Sequence, residues 1–210
     1  MRLRDYLPQI HHAVETVIAD LHSEHDHVAN LRESVARLTE ATHAGYAQAE
    51  AVAKFSDEWD DDPMLATAIH WDTYFGVDKD RYHKDQELQQ LTNLLAAKEI
   101  SLSALAGSLL QYAKQGIALQ YGRQKHGCPA GRNIGSQSLA EVIWQARNQA
   151  LHWEDGTFTL PVENCFNKLA TEVNPVFGDY KLRNLAYDAV VTFGWRTFSD
   201  LERDLLSLDP

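Results

Sequence analysis

Cysteine is scarce in this 210-residue chain: Cys128 and Cys165 stand far apart, with no further ligand at metal-binding spacing. That excludes a disulfide-stapled scaffold and a zinc-ribbon arrangement, and both thiols are expected to be free in a reducing cytoplasm. Only six prolines and eleven glycines interrupt the chain, so long elements are possible. No apolar run approaches the roughly 18 residues that a membrane span requires. The opening residues Met1-Arg2-Leu3-Arg4-Asp5 lead into no signal-peptide core, so a cytoplasmic protein without membrane contact is expected. A Ser-His-Asp motif, a Walker loop and a dinucleotide fingerprint are likewise missing, and no cofactor is expected.

Basic residues are also in the minority, with a net charge of −11. Taken as a sum this repels a polyanion, but the distribution is uneven. Residues 1–100 carry nine basic side chains against nineteen acidic, whereas residues 101–210 carry ten against eleven. Between 101 and 150 the basic residues are Lys114, Arg123, Lys125, Arg132 and Arg147, opposed only by Glu141. Nucleic acid would be turned away by the front half and drawn to that window.

What the chain has in abundance is helical rhythm. Leu3, Leu7, Ile10, Val14, Val17, Leu21, Glu24, Val28, Leu31, Val35 and Leu38 alternate steps of four and three. This a/d pattern predicts one long helix packed along a narrow seam, continuing to about Phe55 and ending in the acidic stretch Asp57 to Asp62. A short helix from Met64 to Phe75 should follow Pro63, and a second heptad segment runs from Leu88 to Leu119. Glycines and Pro129 mark 122–135 as the main loop. Ser138 with Glu141 fits a capping box opening a helix that stops at Asp155-Gly156. Further helices are expected over Val162–Val173 and Leu182–Leu208. The sum is an all-α, up-down helical bundle over residues 64–210, preceded by a coiled-coil-like helical extension over 1–63.

The helix from Ser138 to Asp155 carries the residues with chemistry. Leu139, Val142, Ile143, Ala146 and Ala150 form its apolar stripe. Asn148 and His152 lie about 40° apart around the axis, and Arg147 lies about 100° from Asn148. Asn is a poor helix-interior residue because its amide competes for backbone hydrogen bonds, so its place here suggests a specific partner. One permanent cation, one amide and one titratable imidazole suit RNA cleavage by the ribose 2′-OH. A histidine can take the hydroxyl proton, and an arginine fork can stabilise charge growing on the phosphate. In the glycine-rich loop, Arg123, Lys125, His126 and Arg132 are candidates for contacting RNA phosphates.

The stretch Gln145-Ala146-Arg147-Asn148-Gln149-Ala150-Leu151-His152-Trp153, with its Arg-x4-His spacing and Asn directly after the Arg, resembles the late bundle helix of HEPN ribonucleases. The resemblance spans residues 64–208, with its specific part in the hexapeptide 147–152. It implies a metal-independent endoribonuclease and a homodimer in which two copies of Arg147 and His152 face one cleft. Many HEPN proteins act as toxins or defence effectors beside an inhibitory protein partner, and others only bind. The acidic first hundred residues depart from a compact family domain. Their apolar seam either binds a protein partner or packs on Leu88–Leu119 of the same chain.

Two rival readings come from other classes. One is a non-catalytic helical module that dimerises and binds a protein. The other is a metal enzyme built on His22, His25 and His27 with Glu24 and Asp26, disfavoured because no His-Glu-x-x-His order exists and a solvated helix face explains these residues. His70 and His83 flank Trp71-Asp72-Thr73-Tyr74-Phe75, which reads as core.

Overall fold

The computed structural model describes residues 1–58 and 78–210. Among the described residues the chain is all-α apart from one two-residue strand pair. Helix α1 runs Leu3–Glu58 and α2 runs Asp78–Tyr121. Strands β1 (Asn133–Ile134) and β2 (Gln137–Ser138) pair antiparallel, Asn133 opposite Ser138. Helix α3 (Leu139–His152), a 3-10 turn (Trp153–Asp155), α4 (Leu160–Glu172), a 3-10 segment (Pro175–Lys181), α5 (Ala186–Phe193) and α6 (Phe198–Leu206) follow. The expected helix over 64–75, the aromatic segment 71–75, His70 and the boundary at 63/64 lie outside the described residues. No described helix is long and apolar enough to cross a membrane.

The chain divides into two compact units, one made of residues 26–99 and the other of 1–25 with 100–210. In the first, Val28 is buried and Leu31, Val35 and Leu38 are half-buried, continuing the seam of α1. Arg32 reaches Glu99 at 2.7 Å, tying α1 to α2 within that unit.

In the larger unit Leu3, Leu7, Ile10, Val14 and Leu21 of the predicted seam lie inside, whereas Val17 is half-buried and its neighbour Ile18 is buried in its place. Pro8 sits beyond the first turn, so α1 gives up the bond that an N–H there would make to the Arg4 carbonyl. Leu102, Ala106, Leu109, Leu110, Ala113 and Ile117 form the inner face of α2. Gly116 lets the two helices close on each other, because a Cβ there would stand 2.9 Å from Leu3 and 3.0 Å from Tyr6. Tyr6 Oη then donates to the Tyr112 carbonyl at 3.0 Å. The C-terminus is bound to both helices: Asp209 accepts from Arg4 at 2.7 Å and from Gln120 at 2.8 Å, and Tyr121 Oη donates to the Leu208 carbonyl.

Helix α3 is central and packs on both α4 and α5. Ser138 caps it by accepting the Glu141 N–H at 3.2 Å, and Leu139, Val142, Ile143 and Ala146 are buried as the stripe predicted. Gln149 is fully buried as well, which the apolar pattern did not announce. Its Nε2 donates to the carbonyls of Tyr180 at 2.8 Å and Arg183 at 2.7 Å, and its Oε1 accepts Leu185 N–H at 3.0 Å. One amide thus satisfies three backbone groups between the end of the 3-10 segment and the start of α5.

The single helix expected over 182–208 is two helices. Gly194, at φ +72°, closes α5 in a left-handed conformation, and Thr197 and Asp200 form a reciprocal capping box that opens α6. Both signals were present in the sequence, and an apolar pattern running through Trp195 and Phe198 concealed them.

Candidate functional site

One face of α3 is organised by hydrogen bonds between side chains one turn apart. Glu141, Gln145 and Asn148 fall at i, i+4 and i+7, so their side chains line up along one stripe. Lys125 donates to Glu141 Oε2, Gln145 Nε2 donates to Glu141 Oε1 at 2.7 Å, and Asn148 Nδ2 donates to Gln145 Oε1 at 3.2 Å. Lys114 of α2 completes the chain by donating to Asn148 Oδ1 at 2.7 Å. A cation therefore stands at each end, and both reach over Trp144: Lys114 Nζ is 4.5 Å and Lys125 Nζ 5.1 Å from the ring centre.

Charge in this stripe is unevenly compensated. Burial works to raise the Glu141 carboxyl, but hydrogen bonds from Lys125 and Gln145 and the Lys125 charge outweigh it and leave it below the usual carboxylate range. Lys114 instead has a neutral amide as its acceptor. Partial burial, with repulsion from Arg147 and then Lys125, pulls its ammonium down to about 8. Lys125 also adopts φ 52°, the one positive value among the described non-glycine residues. Such a backbone persists where surrounding contacts hold it, here Glu141 and Trp144.

Arg147 makes its own contact with α2, three residues before Lys114. Its Nε donates to Gln111 Oε1 at 2.6 Å, and it lines a cleft of about 500 Å³ between α2 and α3. Ser108, Gly107, Tyr112, Leu151 and Asn184 share that lining. His152, at the end of α3, is exposed, with Nδ1 3.3 Å from Asp155 Oδ2. It does not line the cleft.

Of the loop candidates, Arg123 and His126 are exposed and Lys125 is committed to Glu141. Arg132 is instead committed to a structural ion pair, its own side chain still partly in solvent. Its Nε and Nη2 each meet a carboxylate oxygen of buried Asp204 at 2.8 Å, and Nη2 also donates to the Phe193 carbonyl at 2.6 Å. Trp195 Nε1 donates to the same carboxylate at 2.9 Å. The residues that sequence reasoning missed are Lys114 as the partner of Asn148, Gln111 as the partner of Arg147, and Gln145. A polar residue three or four positions before Asn148 was the available signal for Gln145; nothing local ties residues 111 and 114 to α3.

Of the α1 histidines, His11 packs against Phe198 with ring centres 4.1 Å apart, and His25 stacks on Tyr187 at 5.0 Å. Among the described residues no group of three His, Cys, Asp or Glu side chains is placed to hold a metal ion. Cys128 and Cys165 are free, and burial pushes the Cys165 thiol up to about 12, so it is no nucleophile near neutral pH. No family model, no curated protein and no solved structure matches this chain.

Proposed function

We propose that the chain is a metal-independent endoribonuclease of HEPN type, acting as a homodimer through Arg147, Asn148 and His152. In this reading it serves as a toxin or defence effector restrained by an inhibitory protein partner. The observation that carries it is the state of Arg147: a permanent cation at a cleft, held by a neutral amide, with no carboxylate partner among the described residues. A guanidinium so placed keeps donors for a phosphate. The His152 imidazole takes the proton of the ribose 2′-OH as its oxygen attacks the adjacent phosphorus. The bond from phosphorus to the 5′-oxygen breaks, leaving a 2′,3′-cyclic phosphate, and a second copy of His152 in the dimer protonates the departing oxygen. Arg147 stabilises charge on the phosphate oxygens, and Lys114 fixes the amide of Asn148 beside it.

One observation favours the rival reading of a non-catalytic interaction module: His152 lies outside the cleft that Arg147 lines. Incubating wild type, Arg147→Ala and His152→Ala with structured and unstructured RNA separates the two. Cleavage lost in both variants supports the enzyme. A folded, dimeric wild type that cuts no RNA supports the module.

A further inference from the structure

Lys114 and Arg147 are an anomaly in so acidic a protein. The chain has 30 acidic residues against 19 basic, yet among the described residues neither cation meets a carboxylate. The nearest acidic group on α3, Glu141, is occupied by Lys125 and Gln145. What faces the two cations is neutral: Asn148 and Trp144 on α3, Gln111 on α2. Each uses one donor on an amide oxygen, whereas an ammonium offers three and a guanidinium five. Two like charges at a partly buried site repel each other unless an anion comes between them.

We propose that Lys114 and Arg147 form a phosphate-binding pair: Arg147 lines the α2–α3 cleft, and Lys114, one turn along α2 from the Arg147 partner Gln111, is bonded to the neighbouring Asn148. The pair's ligand is a phosphate group carried by a nucleotide or by an RNA backbone. The cleft that Arg147 lines supplies room for the remainder of such a ligand. Its volume of about 500 Å³ is within the range of small-molecule sites. Tyr112 and Leu151 offer apolar surface there, Gly107 leaves the wall open, and Ser108 and Asn184 add polar edges. The site stands whether or not the chain cleaves RNA.

The pair also has a signature that diffuse surface charge lacks. Because Lys114 titrates near 8, it is partly deprotonated at that pH, and a bound anion restores its proton. The test is calorimetric titration at pH 8, in two buffers of different ionisation enthalpy, with adenosine 5′-monophosphate, inorganic phosphate and a 2′-O-methyl RNA oligomer that cannot be cleaved. Wild type should bind at least one of them saturably and take up protons. Lys114→Gln should lose about tenfold or more in affinity, the scale of one charged hydrogen bond. Lys114→Arg should keep binding but show no linked proton uptake. Binding of the mononucleotide assigns the site to free phosphate esters, and binding of the oligomer alone assigns it to a phosphodiester chain. Absence of saturable binding by all three ligands overturns the proposal, as does Lys114→Gln binding like wild type. Equal weakening by Lys125→Gln would also overturn it. Phosphate bound without any RNA cleavage would leave this site standing and remove the ribonuclease.

Discussion

Lys114 Nζ stands 2.7 Å from Asn148 Oδ1, so the amide between Arg147 and His152 in sequence is held by a cation from another helix. That contact keeps a repelled, partly buried ammonium in the native state. Below about pH 8 Lys114 is charged both folded and unfolded, and the folded chain bears the full penalty. Between about 8 and its ordinary 10.5 the unfolded chain holds the proton and the folded chain has shed it, so the penalty fades as pH rises. Lys114→Met should therefore be more stable than wild type at pH 7, with the gap narrowing between pH 8 and 10. Urea melts at pH 7, 8.5 and 10 check this. A variant less stable than wild type at every pH would contradict it.

Arg132 is a structural tie. Removing it leaves buried Asp204 with only Trp195 as a charge-stabilising donor among the described contacts and frees the Phe193 carbonyl. Arg132 is partly exposed, so solvent screens the pair, and Arg132→Met should cost roughly 1–3 kcal/mol, the scale of leaving one buried acceptor unsatisfied. Denaturant unfolding measures it, and a loss under about 1 kcal/mol would show that the tie is weak.

Gln149→Leu keeps volume and removes the acceptor and donor that satisfy Tyr180, Arg183 and Leu185 backbone groups. Each buried group left unpaired costs about 1–3 kcal/mol. The expected result is loss of several kcal/mol and faster amide exchange at Leu185. Unchanged exchange there would refute the role of Gln149 as the organiser of 180–185.

Leu151 is 57% exposed and shares the cleft lining with Arg147. If two α3 helices meet across a two-fold axis, a charge at this position is duplicated at the interface. Leu151→Glu should shift a dimer toward monomer in sedimentation at micromolar concentration without lowering monomer stability. A wild type that sediments as a monomer contradicts the composite cleft.

The large features were legible because they rest on periodicity. The heptad of α1 predicted a seam from Leu3 to Leu38; up to Val28 it is buried, including Glu24, except that Ile18 is buried in place of half-buried Val17, and Leu31, Val35 and Leu38 are half-buried. Ser138 and the glycine-rich loop marked the start of α3, whereas the expected stop at Asp155-Gly156 is the end of the 3-10 turn that follows it, α3 itself ending at His152. What the sequence concealed was long-range. Residues 111 and 114 meet α3 across 36 and 34 positions, and Arg132 finds Asp204 across 72, distances over which no pattern in one chain reports contact. The break at Gly194 was local and readable, but the apolar residues on either side carried the pattern across it. Arg147 emerged at a cleft, whereas the loop cations divided between solvent and structural pairs according to whether a carboxylate was within reach.

The central claim, that Arg147 and His152 cleave RNA through its own 2′-OH, is tested most directly by identifying the new RNA ends in the presence of a chelator. Wild type should yield 2′,3′-cyclic phosphate ends. His152→Ala should slow their formation by about 10²–10⁴, and Arg147→Ala by roughly 10²–10³, with both variants folded as wild type. Equal cleavage by all three proteins, cleavage abolished by the chelator, or ends bearing 5′-phosphate would contradict the account.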